Sequence, residues 1–290
     1  MGYQLNQNMM LSEIAQELSL AHQGLDLLIT GVSPIDSAQV SELTFSKQSI
    51  TNSKGLGVIT SDNLDNIENW ENGYISSSNP RLDFIKALDF LKTNIGFSTY
   101  NKPTDIHPTA ILGKNIIIED GCYIGENTII EHNVVIHSGT RIGKNCRIRS
   151  CSSIGSDGFG FERLESGIPI RFPHLGGVLI GDSVEVGSCT AIARGTLSDT
   201  IIEDHVKIDN LVHIAHNCLI KKGAFIIACA ELSGGVIVGE NAWVAPNSCT
   251  HQKINIGANS LIGLGAVITK DIPQSTVYAG NPAKKIRDIK

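Results

Sequence analysis

Aliphatic residues recur at every sixth position through most of the chain. Starting from Ile106, steps of six reach Leu112, Ile118, Ile124, Ile130, Ile136, Ile142, Ile148 and Ile154, nine Ile or Leu in unbroken succession. The register stops there, returns at Ile180, Val186 and Ile192, and is then displaced by four extra residues near Ser198–Ile201. It continues through Ile202, Ile208, Ile214, Ile220, Ile226, Leu232, Val238, Val244, Thr250, Ile256, Ile262 and Ile268, where only Thr250 is polar. Four places after many of these positions sits a small or β-branched side chain: Ala110, Cys122, Thr128, Val134, Thr140, Cys146 and Ser152. A period of six suits neither a helix of about 3.6 residues per turn nor a simple alternating strand. It predicts a parallel β-helix in which each hexad forms one flat side and a turn, so that three hexads close an 18-residue coil. The aliphatic residue then points inward and stacks on its equivalent one coil away, at the strand spacing of roughly 4.8 Å. Gly113, Asn127, Asn133, Gly139 and Asn145 fall at the corners, where permissive turn geometry is needed.

The first hundred residues read differently. Leu11, Ile14, Ala15 and Leu18 have helical spacing, with Ser12 as a candidate cap. Leu28–Val32, Leu43–Phe45 and Gly57–Ile59 read as short strands, Asn79-Pro80 as a turn, and Leu82, Ile85, Ala87, Leu88 and Leu91 as one face of a helix. The expected architecture is therefore mainly β: a small α/β domain over residues 1–103, a β-helix over 104–272 and a C-terminal tail over 273–290. Residues 156–177, rich in Gly, Pro and aromatics, interrupt the helix; they read equally as a tolerated surface loop or as a loop reaching a neighbouring subunit's site.

Composition narrows the function. A net charge of −6 argues against a nucleic-acid surface. No apolar run is long enough to span a membrane and no signal peptide is evident, which predicts a cytoplasmic protein. The seven Cys are odd in number and lack metal-ligand spacing, so they are expected to be reduced and buried, acting as small hydrophobes.

Among nine His, the segment KIDNLVHIAHN (207–217) stands out, with Asp209, His213 and His216 close together. Gly234 follows His216 by 18 residues, so in a closed coil the two lie side by side on adjacent layers. A glycine beside an imidazole leaves a groove and an accessible N–H for the developing oxyanion of a thioester. The imidazole is suited to take a proton from an attacking amine. One coil further on, Thr250-His251-Gln252 replaces the usual aliphatic pattern, and a polar residue in an apolar stack must be satisfied or used. His216 and Gly234 are thus the catalytic candidates. Asp209, Asn210, His213, His251 and Gln252, with Asn79 in the first domain, are the substrate-binding candidates. No Ser or Cys sits in an evident triad, which favours direct attack of the amine over an acyl-enzyme. Two other readings remain: O-acylation of a sugar by the same scaffold, and a carbonic-anhydrase-like metal protein recruiting His213, His216 and His251.

The six-residue signature resembles that of the left-handed β-helix acyltransferases, and the handedness is taken from this resemblance. The whole chain is similar to the UDP-3-O-acylglucosamine N-acyltransferase family of the lipid A pathway. The similar stretches are LSEIAQEL, ITGV (29–32), SELTFS (41–46), SNPRLDFIKAL (78–88), IGSDGFGF (154–161), IGDSVEVG (180–187) and KIDNLVHIAHN. The resemblance implies a homotrimer with active sites in grooves between subunits. It implies a nucleotide base held by the N-terminal domain, and a 3-hydroxyacyl donor on acyl carrier protein rather than a permanently bound cofactor. It places the general base on His216 and the oxyanion donor on Gly234. The family's second histidine, in a Gly-His turn, falls on Lys253 here, and the nearest imidazole is His251. In place of the family's helical C-terminal extension, the ending TVYAGNPAKKIRD is similar to small acetyl-type transferases, where it contacts coenzyme A. This favours a short acyl group, from acyl-CoA or acyl carrier protein, placed on a UDP- or dTDP-linked amino sugar.

Overall fold

The computed structural model describes residues 3–47, 54–61, 71–98 and 103–289. The chain divides into two compact units, residues 1–99 with 160–175 and residues 100–159 with 176–290. The interruption expected to belong to the helix is thus counted, from residue 160 to 175, with the N-terminal residues.

The first unit holds a six-stranded sheet built from β1 (Tyr3–Met10), β2 (His22–Gly24), β3 (Leu28–Val32), β4 (Glu42–Ser46), β5 (Gly57–Thr60) and β6 (Gly73–Ser76), in the order β1-β3-β4-β5-β6-β2. Pairs β3–β4, β4–β5 and β5–β6 are parallel, while the two edges are antiparallel. Helices α1 (Leu11–Glu17) and α2 (Pro80–Asn94) bury Leu11, Ile14, Phe84, Ile85, Leu88 and Leu91 completely. Three strands escape the sequence reading: β1, β2 and β6. Ser12 does not cap α1; it lies inside the helix, and its N–H and Oγ–H both donate to the Asp26 carboxylate, at 2.9 and 2.8 Å. Asn79-Pro80 is more than a turn. Asn79 Oδ1 accepts from the Leu82 N–H at 3.2 Å and Pro80 occupies the first helical position, so the pair starts α2.

The interruption forms a hairpin, Phe161–Arg163 against Pro169–Arg171, and docks on α2. Arg81 pairs with Glu162 at 2.8 Å, and the Phe84 and Phe172 rings lie 6.4 Å apart.

The second unit is a three-sided parallel β-helix. Its faces are sheets of eight, ten and eight strands, each two to four residues long over the coils. Register follows the hexads: Tyr123 pairs with Arg141 and Ile124 with Ile142, 18 residues apart. The interruption and the four-residue insert change only the chain length between rungs, because Ile142 still pairs with Ile180 and Ile180 with Ile202. Of the inward residues, Ile124, Ile136, Ile154, Ile192, Ile214 and Leu232 are fully buried, whereas Ile106 and Leu112, expected inward, are 38% and 42% exposed because they lie on the first coil, with no coil before them to cover them. Buried Thr128 and Ser152 remain satisfied by donating to the carbonyls of Gly143 and Gly187, both at 2.7 Å.

The corners differ in detail from expectation. Asn127, Asn133 and Asn145 do adopt positive φ, near 55°. Gly113 is needed instead for close approach, since a Cβ there would lie 2.8 Å from the Glu131 carbonyl carbon. Cys151, Cys189 and Cys229 occupy positive-φ corners and are exposed, contrary to the expectation of buried thiols. Cys122, Cys146 and Cys218 are buried, as the inward positions require. Burial pushes all three thiols up, Cys218 to about 12. Thiolate is the reactive form, so these three should resist iodoacetamide in the native protein at mildly alkaline pH and react once it is unfolded. Peptide mass spectrometry checks this, and labelling of native Cys218 would contradict it.

Candidate active site

The third face of the helix carries His213–Ile214, Glu231–Leu232 and Cys249–Thr250 on successive rungs. Ile214 and Leu232 pair in register and point inward, so His216 and Gly234 follow at equivalent places on the corner leading to the first face. A Cβ on Gly234 would lie 2.7 Å from His216 Cε1 and 2.8 Å from Nε2. The imidazole therefore fills the space where a side chain would stand, and only glycine leaves room for it.

The peptides around Gly234 are pinned. The Gly235 N–H donates to the His216 carbonyl at 2.9 Å, and the Lys253 N–H donates to the Gly234 carbonyl at 2.9 Å. On the other side, the Ser233 N–H donates to Thr250 Oγ1 at 2.9 Å and Ser233 Oγ donates to the Thr250 carbonyl at 2.7 Å. Thr250, the polar member of the inward column, is thus 6% exposed and satisfied. Its hydroxyl takes the place a carbonyl holds in the regular ladder. Several corner amides donate to a side-chain oxygen of a neighbouring coil: Ser138 to Glu119, Lys222 to Glu203 and Ala228 to Asp209. The Gly234 N–H has no such acceptor among the described residues. A rigid, available amide beside an imidazole is the arrangement that stabilises a developing oxyanion. Thr250→Val removes the acceptor for the Ser233 N–H, and should cost about 1–3 kcal/mol in urea unfolding. A variant with wild-type stability would show that this bond does not hold the groove.

His216 Nδ1 lies 2.9 Å from Asn217 Oδ1. A groove of about 420 Å³ surrounds the pair, lined by Phe159, His213, Ala215, His216, Glu231, Ser233, Gly234, Thr250, His251 and Gln252. Five residues expected at the site are therefore together: His213, His216, Gly234, His251 and Gln252. Asp209 and Asn210 are not with them. They sit at the other edge of the third face, where Asp209 carboxylate oxygens accept from the Asn210 and Ala228 N–H groups and Asn210 Oδ1 accepts from the Ser188 N–H. Asn79 lies in the other compact unit, capping α2.

Sequence reasoning missed Glu231, Ser233 and Phe159. Coil arithmetic reaches the first two, one rung on from His213 and Ala215. Phe159, an 89% exposed aromatic at the end of the regular coils before the hairpin, lies in the aromatic-rich interruption and in IGSDGFGF, but no hexad period places it beside His216. A second groove of about 430 Å³ on the first face, around Tyr123, Arg141, Glu203 and Lys222, holds no imidazole. Among the described residues, no group of three or more His, Cys, Asp or Glu is placed to hold a metal ion. Nor is any described helix long and apolar enough to cross a membrane.

The hexad coils are those of a hexapeptide-repeat protein, and residues 121–156 match the family of bacterial transferase hexapeptide (six repeats). The chain is 35% identical to the UDP-3-O-acylglucosamine N-acyltransferase of Campylobacter lari over 97% of this chain and 95% of that protein. It is 35% identical to that of Delftia acidovorans, over 88% and 80% respectively. It belongs to the UDP-3-O-acylglucosamine N-acyltransferase family. Among solved structures it is similar to Francisella novicida UDP-N-acetylglucosamine acyltransferase, with a TM-score of 0.58 and 27% identity over 65% of this chain and 67% of that one. LpxA from Acinetobacter baumannii is similar too, with a TM-score of 0.55 and 27% identity over 65% and 72%. The fold is the left-handed parallel β-helix of these proteins.

Proposed function

We propose that the protein is an N-acyltransferase that moves an acyl group from a thioester to the amino group of a nucleotide-linked amino sugar. The observation that carries this is the His216 ring lying in the space left by Gly234, one coil away. In this reading the amine attacks the thioester carbonyl carbon and the carbonyl oxygen becomes an oxyanion facing the Gly234 N–H. His216 Nε2 takes the proton the nitrogen sheds. The C–S bond then breaks, the oxyanion collapses to an amide, and the thiolate leaves with the proton returned by the imidazolium. Asp209 and Asn210 are assigned to substrate through a homotrimer, in which a second chain faces the groove; His213, His251 and Gln252 bind from the groove itself. The N-terminal unit, with Asn79, is assigned to the nucleotide. The donor is a 3-hydroxyacyl thioester of acyl carrier protein or coenzyme A.

The test is an assay of purified protein with UDP- and dTDP-linked amino sugars against acyl-CoA and acyl carrier protein donors, read by mass spectrometry. An amide product stable to hydroxylamine is expected. No acylated sugar with any pair of substrates would remove the proposal. A hydroxylamine-labile ester would move it to O-acylation of the sugar by the same scaffold. Activity confined to long acyl carrier protein donors would remove the short-chain variant and leave the lipid A reaction.

A further inference from the structure

The four-residue insert in the hexad pattern has no role in the repeat itself. It forms a tight loop at the corner one rung before His216. Gly195 admits no side chain, because a Cβ would lie 1.6 Å from the Ser198 carbonyl oxygen. The loop is held by Gly176, whose N–H donates to the carbonyls of Gly195 and Thr196 at 3.0 Å, and by Asp199, whose Oδ1 accepts from the Gly177 N–H at 2.7 Å. What it presents outward is a set of groups aimed at Asn217. The Thr196 N–H and hydroxyl donate to Asn217 Oδ1 at 3.2 and 2.9 Å. Asn217 Nδ2 donates to the Ser198 carbonyl at 3.1 Å and to Ser198 Oγ at 2.8 Å.

Two of these partners have fixed polarity. A backbone N–H can only donate and a backbone carbonyl can only accept. Turning the Asn217 amide over would set its NH2 against the Thr196 N–H and its oxygen against the Ser198 carbonyl, losing both bonds and adding two repulsions. The amide is therefore held in one orientation, with Oδ1 toward His216. An amide oxygen accepts and never donates, so the His216 nitrogen 2.9 Å away, Nδ1, must carry the hydrogen. In neutral imidazole the lone pair is then on Nε2, the nitrogen whose ring edge faces Gly234.

We infer that the loop over residues 195–199, made by the insert, is a tautomer lock: its backbone fixes the Asn217 amide, and Asn217 fixes neutral His216 as the Nδ1–H form with a basic Nε2. Asn217, Thr196 and Ser198 are positioning residues. The inference rests on His216 as the proton acceptor for its functional meaning, but its physical content is independent of turnover.

The test is nitrogen-15 NMR of histidine-labelled full-length protein, with His216 assigned by comparison with His216→Ala. Wild type in the neutral form should show a pyrrole-like Nδ1 and a pyridine-like Nε2. Asn217→Leu, which removes the acceptor, should lose that preference and lower kcat by roughly 10²-fold, with the KM for either substrate changing less than about threefold. The double variant Thr196→Val with Ser198→Ala removes both hydroxyls but keeps the backbone N–H and carbonyl, and should retain the Nδ1–H form. A pyridine-like Nδ1 in wild type, an unchanged tautomer in Asn217→Leu, or loss of the preference in the double variant would each overturn the lock. If the signals are as expected and His216→Ala retains full turnover, the lock stands and the base assignment fails.

Discussion

Replacing His216 with alanine lowers turnover by about 10²–10⁴-fold, equivalent to about 3–5 kcal/mol of lost transition-state stabilisation, while the coils stay folded. The fold should survive because His216 lies on a corner, outside the inward column of Ile214, Leu232 and Thr250. What is lost is the proton acceptor next to the Gly234 amide. Saturating kinetics with both substrates, beside a thermal unfolding curve, separates the two effects. A variant that unfolds like wild type and turns over like wild type would take the base away from this position.

Gly234→Val should be nearly as damaging, for a steric reason. Any Cβ at 234 meets the imidazole at 2.7–2.8 Å, against backbone held by Gly235, Lys253 and Ser233, so the ring is what must move. The branched side chain also fills the groove where the thioester carbonyl is placed. A loss of about 10²-fold or more in kcat/KM is expected, with a raised KM for the donor and a lowered kcat together. Gly234→Ala should already lower kcat, because the first carbon causes the clash. If valine raised the donor KM and left kcat untouched, the imidazole would have another place to sit and the close approach would not matter to the chemistry.

Most of the helix was legible because its signal is long and repetitive. An inward aliphatic every sixth residue fixes the register, and register fixes which residues are neighbours one coil away. That is how His216 and Gly234 could be paired before any coordinates. The same arithmetic puts Asp209 seven residues before His216, which reads as proximity along the chain but lies across a whole face of the prism. Their nearness in sequence hid the strand of the third face that separates their two corners. The insert reads in the sequence only as four extra residues that displace the register, because the bonds from Thr196 and Ser198 to Asn217 depend on the path of a loop that no period describes. In the N-terminal unit, β1 and β2 were missed for a related reason. They are edge strands: in β1 the alternation covers only Tyr3–Asn6 before the polar pair Gln7 and Asn8, and β2, His22–Gly24, is too short to show a period.

The last coil is closed in a way that bears on solubility. Strand Thr276–Ala279 continues the ten-stranded face in parallel beside Leu261–Ile262, and Lys284–Asp288 then turns back antiparallel along it. All five residues of that final strand are exposed, and three of them are Lys284, Lys285 and Arg287. A stack of parallel rungs is an open template that could accept another molecule end to end. Reversing the strand direction and lining the rim with positive charge makes that addition unfavourable. The hairpin thus disfavours strand addition along this one face, separate from anything that happens at the groove.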